Sequence, residues 1–401
     1  MPKLEIVIIG AGASGLSAAI AAARAGASVT VCERLSGLGK KVLASGNGRC
    51  NLLNEELDEK QYNASSRTLV KHVLGRFSLK ELGDFFHSLG LFMSEDAGRI
   101  FPATNQSASV LKVLELELGR LDVVFTADFE AVRLEDDGPG FRVLSQDMRK
   151  ITADRLIIAC GGKCYPALGS NGSGYRLAEQ YGHALIKPVP AAVPLMIKDP
   201  FCHILQGQKI KVYAESLING KTGGRAYGDA LFTAYGLSGT AILDISRSVS
   251  IAVNRSGIKD IRVALDLAPF MERGSLEREL NRRLKVGWSS ADLLSGILPG
   301  KFSLAMSEVL AARRAADIAA IVKNKEFAVS ATRGWNEAEF TAGGIKLDKI
   351  KENNLESKLR PGLFFCGEIL DVDGRRGGFN LAWAWASGLL AGSSAAAIKE
   401  I

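Results

Sequence analysis

Gly10-Ala11-Gly12-Ala13-Ser14-Gly15 has the residue types and spacing of a turn that receives phosphate. Glycines so placed permit a tight turn, the close approach of a pyrophosphate, and close packing of a helix on a strand. The helix opening there turns its positive end toward the phosphates. Glu33, at the end of the next apolar run, is placed to accept hydrogen bonds from ribose hydroxyls. A carboxylate in that position repels an added 2′-phosphate, so FAD or NAD suits it better than NADP.

A second constellation lies at the far end of the chain. Gly367-Glu368 follows the apolar run LFFC; Asp371, Asp373, Gly374, Gly377, Gly378 and Asn380 come next, before a long helical stretch. An acid after a late strand can bind ribityl hydroxyls, and the helix opening near Leu381 can aim its positive end at a flavin pyrimidine. A simple NAD dehydrogenase needs no such distant element, so the two ends together favour FAD. Between them, Gly39-Lys40-Lys41 and Ser45-Gly46-Asn47-Gly48-Arg49-Cys50-Asn51 alternate small residues with donors, as a loop lying against a cofactor would. Ala159-Cys160-Gly161-Gly162 closes the run RLIIA, where a glycine pair lets backbone approach a ligand at a sheet's C-terminal edge.

These residues need elements to hold them. Leu4–Ile9 predicts a strand, Ser14–Ala25 an Ala-rich helix stopped by Gly26, and Ser28–Cys32 a second strand. Together they form a β-α-β unit of about 30 residues. Residues 34–54 read as a long loop and 66–90 as helical. Residues 121–158 read as antiparallel strands (LDVVF, FEAVRLE, FRVLS, RLIIA) around a turn at 136–140. Pro188, Pro190, Pro194 and Pro200 punctuate a connector into short strand-like pieces up to about Val263, and 270–325 are helical in pattern. The expected divisions are an FAD-binding domain over 1–187 and 341–401, interrupted by a β-rich part (188–265), a helical part (266–326) and a return strand (327–340).

Composition narrows the class. The chain has 401 residues, 47% hydrophobic and 23% charged, which excludes wholesale disorder. Six cysteines without a CxxC pair make no disulfide framework, and four scattered histidines argue against a structural metal. A cytoplasmic location follows as the expectation. Leu381–Ile398 carries no charge but is short and rich in alanine, serine and glycine, so it reads as a buried core helix and not a membrane span. The net charge is +7, and residues 187–340 hold 21 basic and 15 acidic residues, most of the excess.

The segments GAGASGLSAAIAAARAGASVTVCER, GKKVLASGNGRCN, GRIFPA, GGKCYPALGSNGSGY, TAGGI and LFFCGEILDVDGRRGGFNLAWAWASG, in this order, resemble the BaiN-like family of three-domain bacterial FAD flavoproteins, which includes aminoacetone-oxidase-like members. The resemblance implies an α/β fold: a Rossmann-type FAD-binding domain of the two-dinucleotide-binding kind, with an inserted β-barrel-like part and a helical part. It implies FAD contacts at Gly10, Gly12, Ala13, Ser14, Gly15, Glu33, Arg34, Lys40, Lys41, Ser45, Gly46, Gly48, Arg49 and Cys50. The later contacts it implies are Gly161, Gly162, Gly367, Glu368, Asp373, Gly378 and Asn380. By analogy, Phe129 and Glu130 touch the adenine end through backbone. Cys160 and Cys164 depart from the small or hydroxyl residues expected there, and Ala382 from a larger polar one.

The expected function is an FAD-dependent oxidoreductase acting on a small organic molecule, either a reductase using NADH or NADPH as a transient reductant or an oxidase using O2. The alternatives are an FAD-dependent tRNA-modifying enzyme and a non-catalytic flavin-binding regulator. Nucleic acid is disfavoured because the basic insert lacks arginines clustered among aromatics. No membrane partner is expected, no catalytic side chain is assigned, and the oligomeric state is left open. Arg49 beside Cys50 would lower a thiol pKa, but no resolving partner is adjacent, so packing or flavin contact is the preferred role. Tyr165 reads as a packed loop residue, and His72, His87, His183 and His203 show no partner pattern.

Overall fold

The computed structural model describes residues 3–397. Contacts divide the chain into two compact units: the residues up to Pro188 together with those from Phe340 onward, and Val189–Glu339.

The first unit is organised by a five-stranded parallel sheet in the order Leu363–Phe365, Arg155–Ile158, Glu5–Ile9, Ser28–Cys32, Val124–Thr126. Its register pairs Ile6 with Val29 and Arg155, and Leu156 with Leu363. Strands covered on both faces read as continuous apolar runs, and Ile6, Ile8, Leu156, Ile158 and Phe365 are buried accordingly. The helix Ala13–Arg24 ends where Gly26 adopts φ +93°, as the glycine stop predicts.

That helix packs against Phe379–Ala396, the uncharged run of the sequence, which forms a buried helix. A methyl group at Gly388 would overlap the Ser14 carbonyl and the Ser17 hydroxyl, and one at Gly392 the Ala18 carbonyl. Small residues there let the two backbones touch, which joins the chain's two ends. Ile398, the last residue of that run, lies outside the described residues. No helix among the described residues is long and apolar enough to cross a membrane.

Two local expectations are corrected. Of the four runs over 121–158, only the middle two are antiparallel, forming Ala131–Asp137 and Gly140–Ser145 of a sheet completed by a further strand, Lys150–Ala153. The flanking runs join the parallel sheet instead: Leu156, Ile157 and Ile158 are buried near its centre, whereas Val124 and Phe125 lie exposed on its edge strand, paired with Thr30 and Val31. The segment 34–54 is not all loop: Lys40–Ala44 forms a helical turn, Ser45–Gly48 a tight turn, and Leu53–Asn54 pairs with Arg99–Pro102.

The second unit holds a seven-stranded antiparallel sheet: Lys325–Ala328, Ile261–Asp266, Lys209–Ile218, Lys221–Thr233, Gly236–Ser238, Leu195–Met196, Ala331–Thr332. The helix Thr240–Ser250 packs on one face of its long hairpin. The helices Arg273–Lys285 and Ala315–Lys323 share the same core through Leu276, Leu280 and Ile318. Phe201, Phe232, Phe302 and Phe327 form an edge-to-face knot inside it, with centroids 5.7–6.4 Å apart.

Candidate cofactor site

All the candidate residues lie in the first unit. Gly10 holds φ +108°, its N–H donates to Cys32 O at 2.8 Å, and a Cβ there would stand 2.6 Å from Ala159 O. Gly15 abuts the Gly10 carbonyl. Gly12 differs: its φ is ordinary, and a Cβ would meet nothing within 4 Å. So two of these glycines close the turn, while the third faces the space a pyrophosphate needs. The helix from Ala13 begins with no side-chain cap and no acid in its first turn. The N–H groups of Ala13, Ser14 and Gly15 are therefore left for an anion. The Ser14 hydroxyl itself turns to Cys366 O at 3.5 Å.

Glu33 is fixed at the end of its strand. Its Oε2 accepts the Ala11 N–H at 2.9 Å and its Oε1 the Leu35 N–H at 3.0 Å. The Phe129 N–H donates to Glu33 O at 2.8 Å, which ties the 128–130 segment to this edge. Glu130 Oε1 accepts Asn171 Nδ2 at 3.2 Å and stands 3.7 Å from Arg34 Nε. That buried Arg34 Nε has no hydrogen-bond partner, although Nη1 reaches Gly169 O at 3.5 Å.

The strongest polar cluster joins the basic loop to the far end. Lys41 Nζ lies 2.8 Å from Glu368 Oε2, which also accepts the Gly162 N–H at 3.2 Å. Glu368 Oε1 accepts the Thr341 N–H at 2.7 Å. Burial pushes the Lys41 ammonium down, but Glu368, with Cys164 and Tyr165 beyond it, outweighs burial and holds it above the ordinary lysine value. Gly367 has φ +78° and lies against Ser14. Its N–H donates to Ser387 Oγ at 2.9 Å, and its carbonyl accepts Trp383 Nε1 at 3.1 Å. The late helix thus sets the peptide that carries Glu368. Gly161, at φ +69°, lets the 159–162 strand end turn toward it.

Gly39 N–H donates to Ala11 O at 2.8 Å, which lays the loop beginning at Lys40 against the phosphate turn. Cys50 is fully buried at φ +56°, with its N–H on Ser45 O at 3.0 Å. Burial pushes its thiol up to about 11, despite a hydrogen bond from Ser45 that lowers it. Activation by Arg49 is therefore corrected: that guanidinium lies 4.1 Å over the Phe101 ring and bonds Asn105 and Asp96 at 2.7 and 3.1 Å. Cys160 and Cys164 are both free thiols, as are the other four.

The late helix starts at Gly378, φ +103°, again without a side-chain cap or an acid in its first turn. Asn380 is taken up by the preceding loop, with Oδ1 on the Gly374 N–H at 2.8 Å and Nδ2 on its carbonyl at 3.0 Å. Asp373 is buried, and its N–H donates to Asn63 Oδ1 at 3.1 Å.

The sequence reading missed one residue as a site member: Asn51. Its Oδ1 is buried without a hydrogen-bond partner and lies 2.9 Å from where a Gly378 Cβ would stand. A buried acceptor left unpaired is costly unless a ligand satisfies it. An acceptor beside uncapped N–H donors matches the edge of a flavin pyrimidine, which offers one N–H between two carbonyls. The signal available in the sequence was the asparagine closing SGNGRCN. The residues present thus fit FAD at both the pyrophosphate and the ring end.

Residues 4–394 match the family model described as HI0933-like protein Rossmann domain. The chain is 38% identical to the 3-dehydro-bile acid delta(4,6)-reductase of Clostridium scindens, over 98% of this chain and 99% of that one. It is 30% identical to the ribosomal RNA dihydrouridine synthase of Haemophilus influenzae, over 96% of each. Among solved structures, the 3-ketosteroid-delta4-(5alpha)-dehydrogenase from Rhodococcus jostii RHA1 shares the fold, with a TM-score of 0.50 and 16% identity over 98% of this chain and 97% of that one.

Proposed function

The chain belongs to the HI0933-like Rossmann family and is an FAD-dependent oxidoreductase; we propose that it reduces a carbon–carbon double bond conjugated to a carbonyl in a small organic molecule. The observation that carries this reading is the 38% identity, along nearly the whole of both chains, to an enzyme named as a bile acid reductase. The balanced reaction takes one hydride from NADH or NADPH and one proton, and adds both across the double bond. The chemistry FAD supplies when bound is hydride-type transfer between the nicotinamide and the electron-poor carbon.

The chain's own residues bind and orient. The N–H groups of Ala13–Gly15 would hold the pyrophosphate, Gly12 would leave it room, and Glu33 would serve the adenosine ribose. Gly161, Gly162 and the Glu368 peptide would border the middle of the cofactor. Lys41 keeps its proton at Nζ and fixes the Glu368 carboxylate. Asn51 Oδ1 would accept from the pyrimidine, and the N-terminal turn of the late helix would favour negative charge at that end of the cofactor. A reducing cytoplasm suits six free cysteines.

A second reading has a specific observation behind it. The relative at 30% identity, and another from Escherichia coli at 28%, are named ribosomal RNA dihydrouridine synthases. Uracil also carries a double bond conjugated to a carbonyl, so the reaction class is unchanged and only the size of the substrate differs.

Anaerobic mixing with NADH and NADPH, following flavin absorbance, tests the proposal. The expected result is bleaching by one or both nucleotides. Flavin that no nicotinamide bleaches, but that an amine substrate reduces and O2 reoxidises, would replace the reductase with an oxidase.

A further inference from the structure

The sequence reads the charge excess of the insert as a charged substrate-side region and disfavours nucleic acid, because no run there mixes arginines with aromatics. The fold supplies the mixing. In the hairpin Lys209–Ile218/Lys221–Thr233, Tyr213 is paired directly opposite Tyr227, their ring centroids 4.9 Å apart. Both rings stand in solvent, 55% and 57% exposed. The hairpin's other face is buried under the helix Thr240–Ser250: Val212, Ala214, Gly228 and Ala230 point inward. Nothing in this packing requires two tyrosines outside, where alternation along a strand calls for simple polar residues.

Cations and acids share that face with them. Lys211 and Arg225 are each two residues from a tyrosine along their own strands, and Lys209 continues the same row. Arg262 stands across from Leu217 on the adjoining strand, 54% exposed, with Asp260 at 3.4 Å and Glu326 at 3.2 Å. Acids are present too: Asp229 lies 3.1 Å from Lys211, and Glu215 lies 3.1 Å from Arg225. Both pairs are open to solvent on the basic side, 59% and 73% exposed, so they are weak and phosphate can compete for the cations. Asp266, opposite Tyr213, is taken by Lys323.

We propose that this sheet face binds single-stranded RNA, its bases stacking on Tyr213 and Tyr227 and its phosphates meeting Lys209, Lys211, Arg225 and Arg262. Paired aromatics on an exposed sheet, flanked by cations, form the platform that sequence-tolerant single-strand binding uses. The excess of six positive charges over residues 187–340 supplies the long-range attraction. The choice of RNA rests on the second reading of the function; the platform itself rests on the geometry.

The test uses the FAD-loaded protein and a fluorescein-labelled uridylate oligomer of roughly twelve nucleotides, followed by anisotropy at about 50 mM salt. Binding that weakens steeply with added salt is expected. Tyr213→Ala with Tyr227→Ala should weaken it roughly 5- to 150-fold for each stack lost, while the Phe double variant keeps most of it. FAD content and the rate of flavin bleaching by nicotinamide should be unchanged in both variants, which separates failure of the surface from failure of the flavin chemistry. No binding at low salt would overturn the proposal. So would binding that ignores the alanine pair, or a second copy of the chain covering the face, seen as a concentration-dependent mass that the alanine pair abolishes.

Discussion

Glu368→Ala removes the acceptor of three groups at once: the Lys41 ammonium at 2.8 Å, the Gly162 N–H at 3.2 Å and the Thr341 N–H at 2.7 Å. Each stranded N–H costs about 1–3 kcal/mol, and an ammonium loses its counter-charge. With Lys41 and Glu368 only 28% and 19% exposed, the loss falls in the range of about 3–5 kcal/mol for breaking a pair by removing one partner. Lys41→Met is expected to cost only about 1 kcal/mol, because Glu368 keeps both backbone donors. Urea unfolding of the apoprotein, followed by near-UV circular dichroism, measures both. The pH dependence carries a sign. The folded Lys41 value is raised above the ordinary one. Its stabilisation is therefore complete below about 10.4 and is lost as pH climbs through the folded value. That alkaline loss should vanish in Lys41→Met. Equal costs for the two variants, or an unchanged alkaline limb, would refute the view that Glu368 is a backbone clamp with a charge attached.

Other substitutions separate fold from cofactor. Gly10→Ala meets Ala159 O at a positive φ and is expected to cost the apoprotein about 2–4 kcal/mol, whereas Gly12→Ala should leave melting unchanged yet weaken FAD at least ~10-fold in a fluorescence titration. Gly388→Leu drives a side chain into the Ser14 carbonyl and the Ser17 hydroxyl and should abolish soluble expression, while Ser393→Ala, on the helix's exposed face, should not. With its thiol pushed up to about 11 and fully buried, Cys50 should resist iodoacetamide in the native protein at neutral pH, as peptide mapping would show.

What the linear sequence revealed was whatever lay contiguous in it. The turn 10–15, the helix after it, the Gly26 stop and Glu33 belong to one unbroken unit, so period and glycine placement sufficed. The flanking runs near Val124 and Arg155 were misread because a short apolar strand looks alike in parallel and antiparallel sheets. Adjacency also misled: Arg49 sits next to Cys50 in the chain, but the left-handed backbone at Cys50 sends the thiol into the core and the guanidinium to Phe101. The Tyr213–Tyr227 pair, and the role of Asn51 beyond its place in the SGNGRCN loop, were hidden for the opposite reason. Their meaning depends on Gly378 and on strand register, neither of which local pattern encodes.

The most direct test of the central claim is an anaerobic single turnover. The holoprotein is reduced with one equivalent of the effective nicotinamide and mixed with a steroid enone, while flavin absorbance and product mass are followed together. The account expects the yellow colour to return without O2 and the product to gain two hydrogens. Flavin that stays bleached with this enone and with a uridine-containing RNA, and recovers only when air is admitted, would contradict it.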